Sequence, residues 1–170
     1  TQVTIMNEML SFLGIVLMVG LTGIGSSIGV TICGNAAVGA MKKNPDALGQ
    51  YIGLSALPSS QGLYGFVGFF MAKTALDKLI AAGAITPFAA WAIFGAGLIL
   101  GIVGLYSAIR QAQVCANGIQ AIGSGENVFS ATMVMAVFPG LYAILALLVA
   151  ILTVDSLQSR ISWIKPQALG

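Results

Sequence analysis

Three neutral polar side chains interrupt the apolar runs of this sequence: Ser60, Gln61 and Gln111. Hydroxyl and carboxamide oxygens of this kind are ligands for hard cations. Pro58 lies just before the first two, and because proline lacks a backbone N–H it frees a carbonyl about one turn earlier, which we assign to Leu57. Polar groups inside a bilayer are costly and usually functional. These residues therefore predict an ion site.

The predicted depths of the polar side chains agree with one another. Gln61 lies about 10 residues after the first loop, Gln111 about 10 before the third, and Gly140 about 13 after it, which puts all three roughly 15–20 Å from one membrane surface. Pro139 provides a second helix break at this level. Glutamine and serine also hydrogen-bond across packed membrane helices without any ion. The shared depth beside two proline breaks favours an ion site over that alternative.

The composition requires a membrane protein. Hydrophobic residues make up 58% of the chain and charged residues 7%, against roughly 25% charged residues in soluble domains. Four runs are long enough to cross a bilayer and must be helical in lipid: about 9–41, 51–76, 88–117 and 128–154. We predict an all-α protein with four transmembrane helices, followed by a short interfacial tail that carries Arg160, Trp163 and Lys165.

The sequence contains an internal duplication. A glycine-rich helix, a polar loop and a proline-broken helix occur twice, about 80 residues apart, which predicts two tandem helical hairpins over 1–81 and 82–170. Each glycine-rich helix carries a small-xxx-small pair that lets helix backbones approach closely: Gly25 with Gly29, and Gly97 with Gly101.

The duplication can be aligned in two registers. Pairing Pro58 with Pro139 sets Ser59 against Gly140, whereas pairing the two Gly-Leu-Tyr triplets, at 62–64 and 140–142, shifts the register by three residues. We favour the proline pairing because a helix break is the stronger physical landmark.

Several functions are excluded by the same composition. A net charge of +2 without a basic cluster excludes nucleic acid as a partner. The chain has no histidine, and Cys33 and Cys115 are predicted to be small packing residues rather than a disulfide or metal pair. The glycine-rich segments lack the strand that a nucleotide-binding loop requires, so no organic cofactor is expected.

Several segments of this chain resemble the proteolipid subunit of the membrane rotor ring in V-type and A-type ATPases, above all the sodium-coupled bacterial kind called K or c. The resemblance covers nearly the whole chain and is carried by LPSSQGLYGF at 57–66, LYSAIRQ at 105–111, GIQ at 118–120 and YAIL at 142–145. It implies a ring of identical subunits, with the first and third helices inside and the second and fourth outside. Such a ring carries Na⁺, or alternatively H⁺, and is turned by ATP hydrolysis elsewhere; the chain itself has no catalytic activity.

The resemblance also implies a ligand set. In the family, a helix-two carbonyl, a hydroxyl, two glutamines and one glutamate hold the sodium ion. Carried over residue by residue, the neutral ligands fall on Leu57, Ser60, Gln61 and Gln111, and the carboxylate falls on Gly140. A tyrosine near the site falls on Tyr64, and Pro58, Ser59 and Pro139 are adjacent.

Gly140 departs from the family at the residue on which ion transport depends. Without a carboxylate, a bound sodium ion keeps its charge in the bilayer, at a cost of several kcal/mol, and a proton has no titratable carrier. The five acidic residues of the chain are predicted near the membrane surfaces: Glu8, Asp46, Asp77, Glu126 and Asp155. Gly140 is therefore a substitution in an otherwise normal carrier, a native residue of a ring member that carries nothing, or the sign of a different register.

The expected surroundings follow from the same resemblance. A stator subunit with an arginine, stalk subunits at the first and third loops, and membrane lipid are the expected partners; Lys42 and Lys43 face the stalk or anionic lipid headgroups. The chain is expected in the cell membrane, with its termini outside and its first and third loops in the cytoplasm. Two other functions stay open: a structural ring member, and a small four-helix proton-coupled exporter that would use Glu8.

Overall fold

A computed structural model describes the backbone of residues 1–167 and the side chains of residues 1–160, and this part of the chain is helical with short connections. The predicted all-α fold is confirmed. Two 3-10 turns, Pro45–Ala47 and Leu57–Ser59, join the first three helices. The five α-helices are α1 (Gln2–Met41), α2 (Leu48–Ala56), α3 (Ser60–Ala81), α4 (Pro87–Gly123) and α5 (Phe129–Gln167).

Helices α1 and α4 form the most extensive contact of the fold, with α3 against α1 and α5 against α4. Glycines allow their backbones to approach closely. A Cβ placed on Gly25 would lie 2.5 Å from Leu105 Cα, and one placed on Gly97 would overlap the backbone of Gly14. The glycine-rich character of both helices therefore follows from their mutual packing.

The second apolar run contains the helix break that its proline predicts. It is divided into α2 and α3 by the turn Leu57–Ser59, because Pro58 has no N–H to continue the α-helical ladder. Among the described residues, three helices are long and apolar enough to cross a membrane: Gln2–Met41, Pro87–Gly123 and Phe129–Arg160.

Several helices extend beyond the predicted apolar runs. Helix α1 begins at Gln2, α4 continues to Gly123, and α5 continues to Gln167. The predicted tail is therefore the last part of α5, and the side chains of Trp163 and Lys165 lie outside the described ones. Glycine and proline inside these helices do not end them. Helix α4 continues through Gly118, and α5 is continuous through Pro139, so the second helix break predicted at that proline is wrong.

The first and third loops lie at the same end of the molecule, as the predicted topology requires. The side-chain amide of Asn44 in the first loop donates to the Ile122 carbonyl near the end of α4, at 3.1 Å. At the opposite end, Lys78 donates to Gln158 at 3.2 Å. Thr86 caps the start of α4, since its hydroxyl accepts from the N–H of Ala89 at 3.2 Å.

Candidate ion-binding site

Gln61 lies at the centre of a polar cluster between the helices. Its side chain is fully buried at the start of α3. The carboxamide nitrogen donates to Ser107 Oγ at 3.0 Å and to Gln111 Oε1 at 2.9 Å, both on α4. Both amide protons therefore have acceptors within the protein, and the carboxamide oxygen lies on the side of Ser60, 3.2 Å from its hydroxyl.

Ser60 and Leu57 provide further oxygens beside Gln61. Ser60 Oγ lies 2.9 Å from the Leu57 carbonyl oxygen and 3.2 Å from Gln61 Oε1. A hydroxyl has a single proton, so at any moment it donates to only one of these two acceptors. Two acceptors thus share one hydroxyl proton, and three oxygens lie close together.

The predicted reason for the position of the Leu57 carbonyl is wrong. The missing N–H of Pro58 removes the helical partner of the carbonyl four residues earlier, at Leu54, rather than that of Leu57. The Leu57 carbonyl accepts from the backbone N–H of Ser60 within the 3-10 turn, as well as from the Ser60 hydroxyl. It is displaced from α-helical pairing by the turn, not freed by the proline.

Gln111 connects the cluster to α5. It is buried, and its Nε2 donates to the Ala136 carbonyl at 2.8 Å. Gly140, one turn further along α5, is also buried, and a Cβ placed on it would lie 2.8 Å from Gln111 Nε2. A side chain at this position would therefore enter the cluster directly. The structure brings together all five predicted site positions, whose role in ion binding stays a prediction: Leu57, Ser60, Gln61, Gln111 and Gly140.

Ser107 belongs to the cluster but was absent from the predicted site. It is buried on α4, accepts from Gln61, and donates to the Pro139 carbonyl at 2.7 Å. In the sequence it resembles any small residue of a glycine-rich helix. Its position four residues before Gln111, and therefore on the same helix face, is the signal that identifies it.

The residues predicted to adjoin the site occupy its borders. Pro58 is buried against α1, where a Cβ on Gly29 would lie 2.7 Å from the Pro58 Cβ. Ser59 is exposed and donates to the Ala56 carbonyl of its own turn at 2.6 Å. Tyr64 is half-buried one turn further along α3, and Pro139 contributes its carbonyl to Ser107.

The cluster is electrically neutral. Within the described part of the chain, no acidic side chain hydrogen-bonds to it, and no group of three metal-binding His, Cys, Asp or Glu residues occurs. Asp77 instead pairs with Lys73 at 2.7 Å. Arg110, although next to Gln111 in sequence, is exposed and donates to Gln113 at 3.1 Å. The cluster therefore offers a cation oxygen ligands without a compensating charge.

Two segments of the chain, residues 13–72 and 94–153, match the family model of the ATP synthase C subunit. The chain belongs to the ATP synthase C-subunit family. Each match to this family covers a glycine-rich helix and most of the proline-containing segment that follows it. The second match begins and ends 81 residues after the first, which is also the separation of Pro58 and Pro139.

Two relatives, both named as K subunits, are similar to this protein over most of the chain. The A-type ATP synthase subunit K of Methanocaldococcus jannaschii is 38% identical over 143 residues, which are 84% of this chain and 60% of that protein. The V-type sodium ATPase subunit K of Enterococcus hirae is 34% identical over 133 residues, 78% of this chain and 82% of that protein. The chain thus matches less than two thirds of the length of the Methanocaldococcus relative.

Proposed function

We propose that this chain is a rotor-ring subunit of a V-type or A-type ATPase, and that its polar cluster is the neutral part of a sodium site. Family membership and the similarity to two K subunits support the ring. The name of the Enterococcus relative, a sodium ATPase subunit, supports Na⁺ in preference to H⁺. The observation that carries the proposal is that a side chain at Gly140 would point at Gln111, inside the cluster.

In this function the chain is one of several identical subunits, each made of two tandem hairpins over 1–81 and 82–170. Helices α1 and α4 line the inside of the ring, while the α2–α3 segment and α5 face the lipid and the stator. The stator's arginine releases the ion, and the stalk binds the first and third loops on the cytoplasmic side. ATP is hydrolysed elsewhere in the complex.

A sodium ion in the cluster would take its oxygens from Leu57, Ser60, Gln61 and Gln111. The Gln111 oxygen, which accepts from the amide of Gln61 at 2.9 Å, would bind the ion through its second lone pair. Gly140 contributes no negative charge, so the occupied site would carry a bare positive charge past the lipid. A carboxylate at this position would neutralise the ion, which is why position 140 decides between transport and its absence.

The second candidate function is a ring member that carries nothing. The observation in its favour is that Gln111 fills the space beside Gly140 and that both Gln61 amide protons are paired without an ion. In this function the cluster holds helices together, as polar residues commonly do in membrane proteins. The two candidates share the ring and differ only in whether the cluster binds sodium once a carboxylate is present.

Carbodiimide labelling of the Gly140→Glu protein distinguishes the sodium-binding ring subunit from the ring member that carries nothing. Carbodiimides react with protonated carboxyl groups in apolar surroundings, and a bound cation keeps the carboxylate ionised and unreactive. We expect the new side chain to label and sodium to prevent the labelling. The clash with Gln111 involves the far end of a flexible side chain, so the substitution can be accommodated.

The matched control is Gly140→Gln, which has the same shape and no carboxyl group. It should not label, and neither should the unsubstituted protein. Labelling of Gly140→Glu that persists at every sodium concentration would contradict the sodium site and favour the non-carrying ring member.

A further inference from the structure

We propose that Ser107 is a positioning residue of the site, which fixes the carboxamide of Gln61 so that its oxygen, not its nitrogen, faces Ser60 and Leu57. The inference rests on the proposed sodium site. It concerns orientation, because only the oxygen of a carboxamide can bind a cation and a half-turn of the group exchanges oxygen for nitrogen.

Two backbone carbonyls of α5 determine which atoms of the hydrogen-bond network donate and which accept, because a carbonyl can only accept hydrogen bonds. The carbonyl of Pro139 takes the single proton of Ser107, at 2.7 Å. The carbonyl of Ala136 takes a proton from Gln111 Nε2, at 2.8 Å. Ser107 Oγ and Gln111 Oε1 are therefore left as acceptors toward the interior of the cluster.

Gln61 meets both of these acceptors at once, at 3.0 Å and 2.9 Å, and its NH₂ group satisfies both. A turned carboxamide would set its oxygen against two other oxygens and leave its protons toward Ser60. Ser107 and Gln111 thus act together to hold Gln61 Oε1 on the Ser60 side, where it lies 3.2 Å from the hydroxyl. Burial of all three side chains makes the mismatched orientation costly.

Ser107 also connects this orientation to position 140. The carbonyl that it binds belongs to Pro139, directly before the residue whose side chain would enter the cluster. One hydroxyl therefore contacts Gln61 on α3 and the backbone of α5 from its own place on α4. Removal of the Ser107 hydroxyl is expected to make the distance between the Gln61 oxygen and a carboxylate at position 140 more variable.

The test compares Ser107→Thr with Ser107→Val, each in the Gly140→Glu protein. Threonine and valine are nearly the same shape, so any steric cost is shared and only the hydroxyl differs. The measurement is the sodium concentration that halves carbodiimide labelling. We expect valine to raise it about five- to tenfold above threonine, the loss expected for one neutral hydrogen bond that holds a ligand.

Ser27→Ala in the same protein is the matched control, because Ser27 is exposed and donates only to the Ile24 carbonyl of its own helix, at 2.9 Å. It should leave the half-protecting concentration unchanged. Equal concentrations for threonine and valine would overturn the role of Ser107 while leaving the sodium site intact. Where neither variant assembles, Ser107→Ala against the Gly140→Glu parent gives the same comparison. Absence of protection in that parent would instead contradict the site itself.

Discussion

At the scale of single residues, the hydrogen bonds of Gln61 stabilise the fold whether or not an ion binds. Its two donors cross from α3 to α4 and are fully buried. Bonds of this kind between membrane helices contribute roughly 0.6 kcal/mol each on average. Replacement by an apolar residue also leaves the acceptors on Ser107 and Gln111 without a donor, which adds a desolvation cost.

We therefore expect Gln61→Leu to lower the free energy of unfolding by about 1–2 kcal/mol, measured by denaturation in mixed detergent micelles. Gln113→Leu is the control, because Gln113 is exposed and pairs only with Arg110 in its own helix. Its effect should stay within about 0.5 kcal/mol, as for most surface substitutions. Equal losses for the two variants would show that the cluster contributes nothing to stability.

Sequence reasoning at this scale found the ligand-type residues but not their geometry. Ser60, Gln61 and Gln111 were predictable because polar residues are rare in apolar runs. The bonding of Leu57 and the part played by Ser107 were not, because both depend on which backbone carbonyls face the cluster. Those carbonyls carry no sequence signal of their own.

At the scale of elements, the broken segment α2–α3 is stabilised from a neighbouring helix. At the start of α3, the Ser60 N–H donates to the Leu57 carbonyl within the turn, but the side chain of the N-cap residue Ser59 caps no N–H group. Ser26 on α1 accepts from the Gly62 N–H at 2.8 Å instead. Ser26 lies 81 residues before Ser107, so equivalent serines of the two hairpins support the backbone beside each proline. The break was predictable from Pro58, but this long-range cap was not.

The close packing of α1 against α4 predicts that replacing a glycine by alanine raises or lowers stability according to the position of the glycine. Alanine is favoured over glycine in a helix by about 1 kcal/mol, so Gly95→Ala should be neutral or stabilising, since open space surrounds that position. Gly97→Ala should destabilise the protein by about 1–3 kcal/mol, the cost of overpacking, because its methyl group would overlap the backbone of Gly14. Thermal unfolding in detergent measures both. Stabilisation by both variants would contradict the close approach of the two helices.

At the scale of the whole molecule, the glycines of α1 that have no close packing partner within the chain indicate where another copy packs. Gly20, Gly23 and Gly34 share one face of α1, and open space surrounds each of them. In a single chain such glycines weaken the helix without any packing gain. A second copy that packs along this face would supply the missing packing contacts, because small residues allow close helix contact in a membrane.

We therefore expect the purified protein in mild detergent to give a single closed ring by native mass spectrometry, and Gly20→Leu to reduce it to smaller species. Gly20 is exposed in the isolated chain and a Cβ placed on it would meet nothing within 4 Å, so the thermal unfolding of the dissociated variant should match that of the dissociated unsubstituted protein. This internal control separates lost assembly from lost folding. Monomers and dimers alone from the unsubstituted protein would count against the ring, and an intact ring of the Gly20→Leu protein would move the contact between copies to another face. Neither result depends on Gly140, since assembly rests on helix packing and not on the charge at the polar cluster.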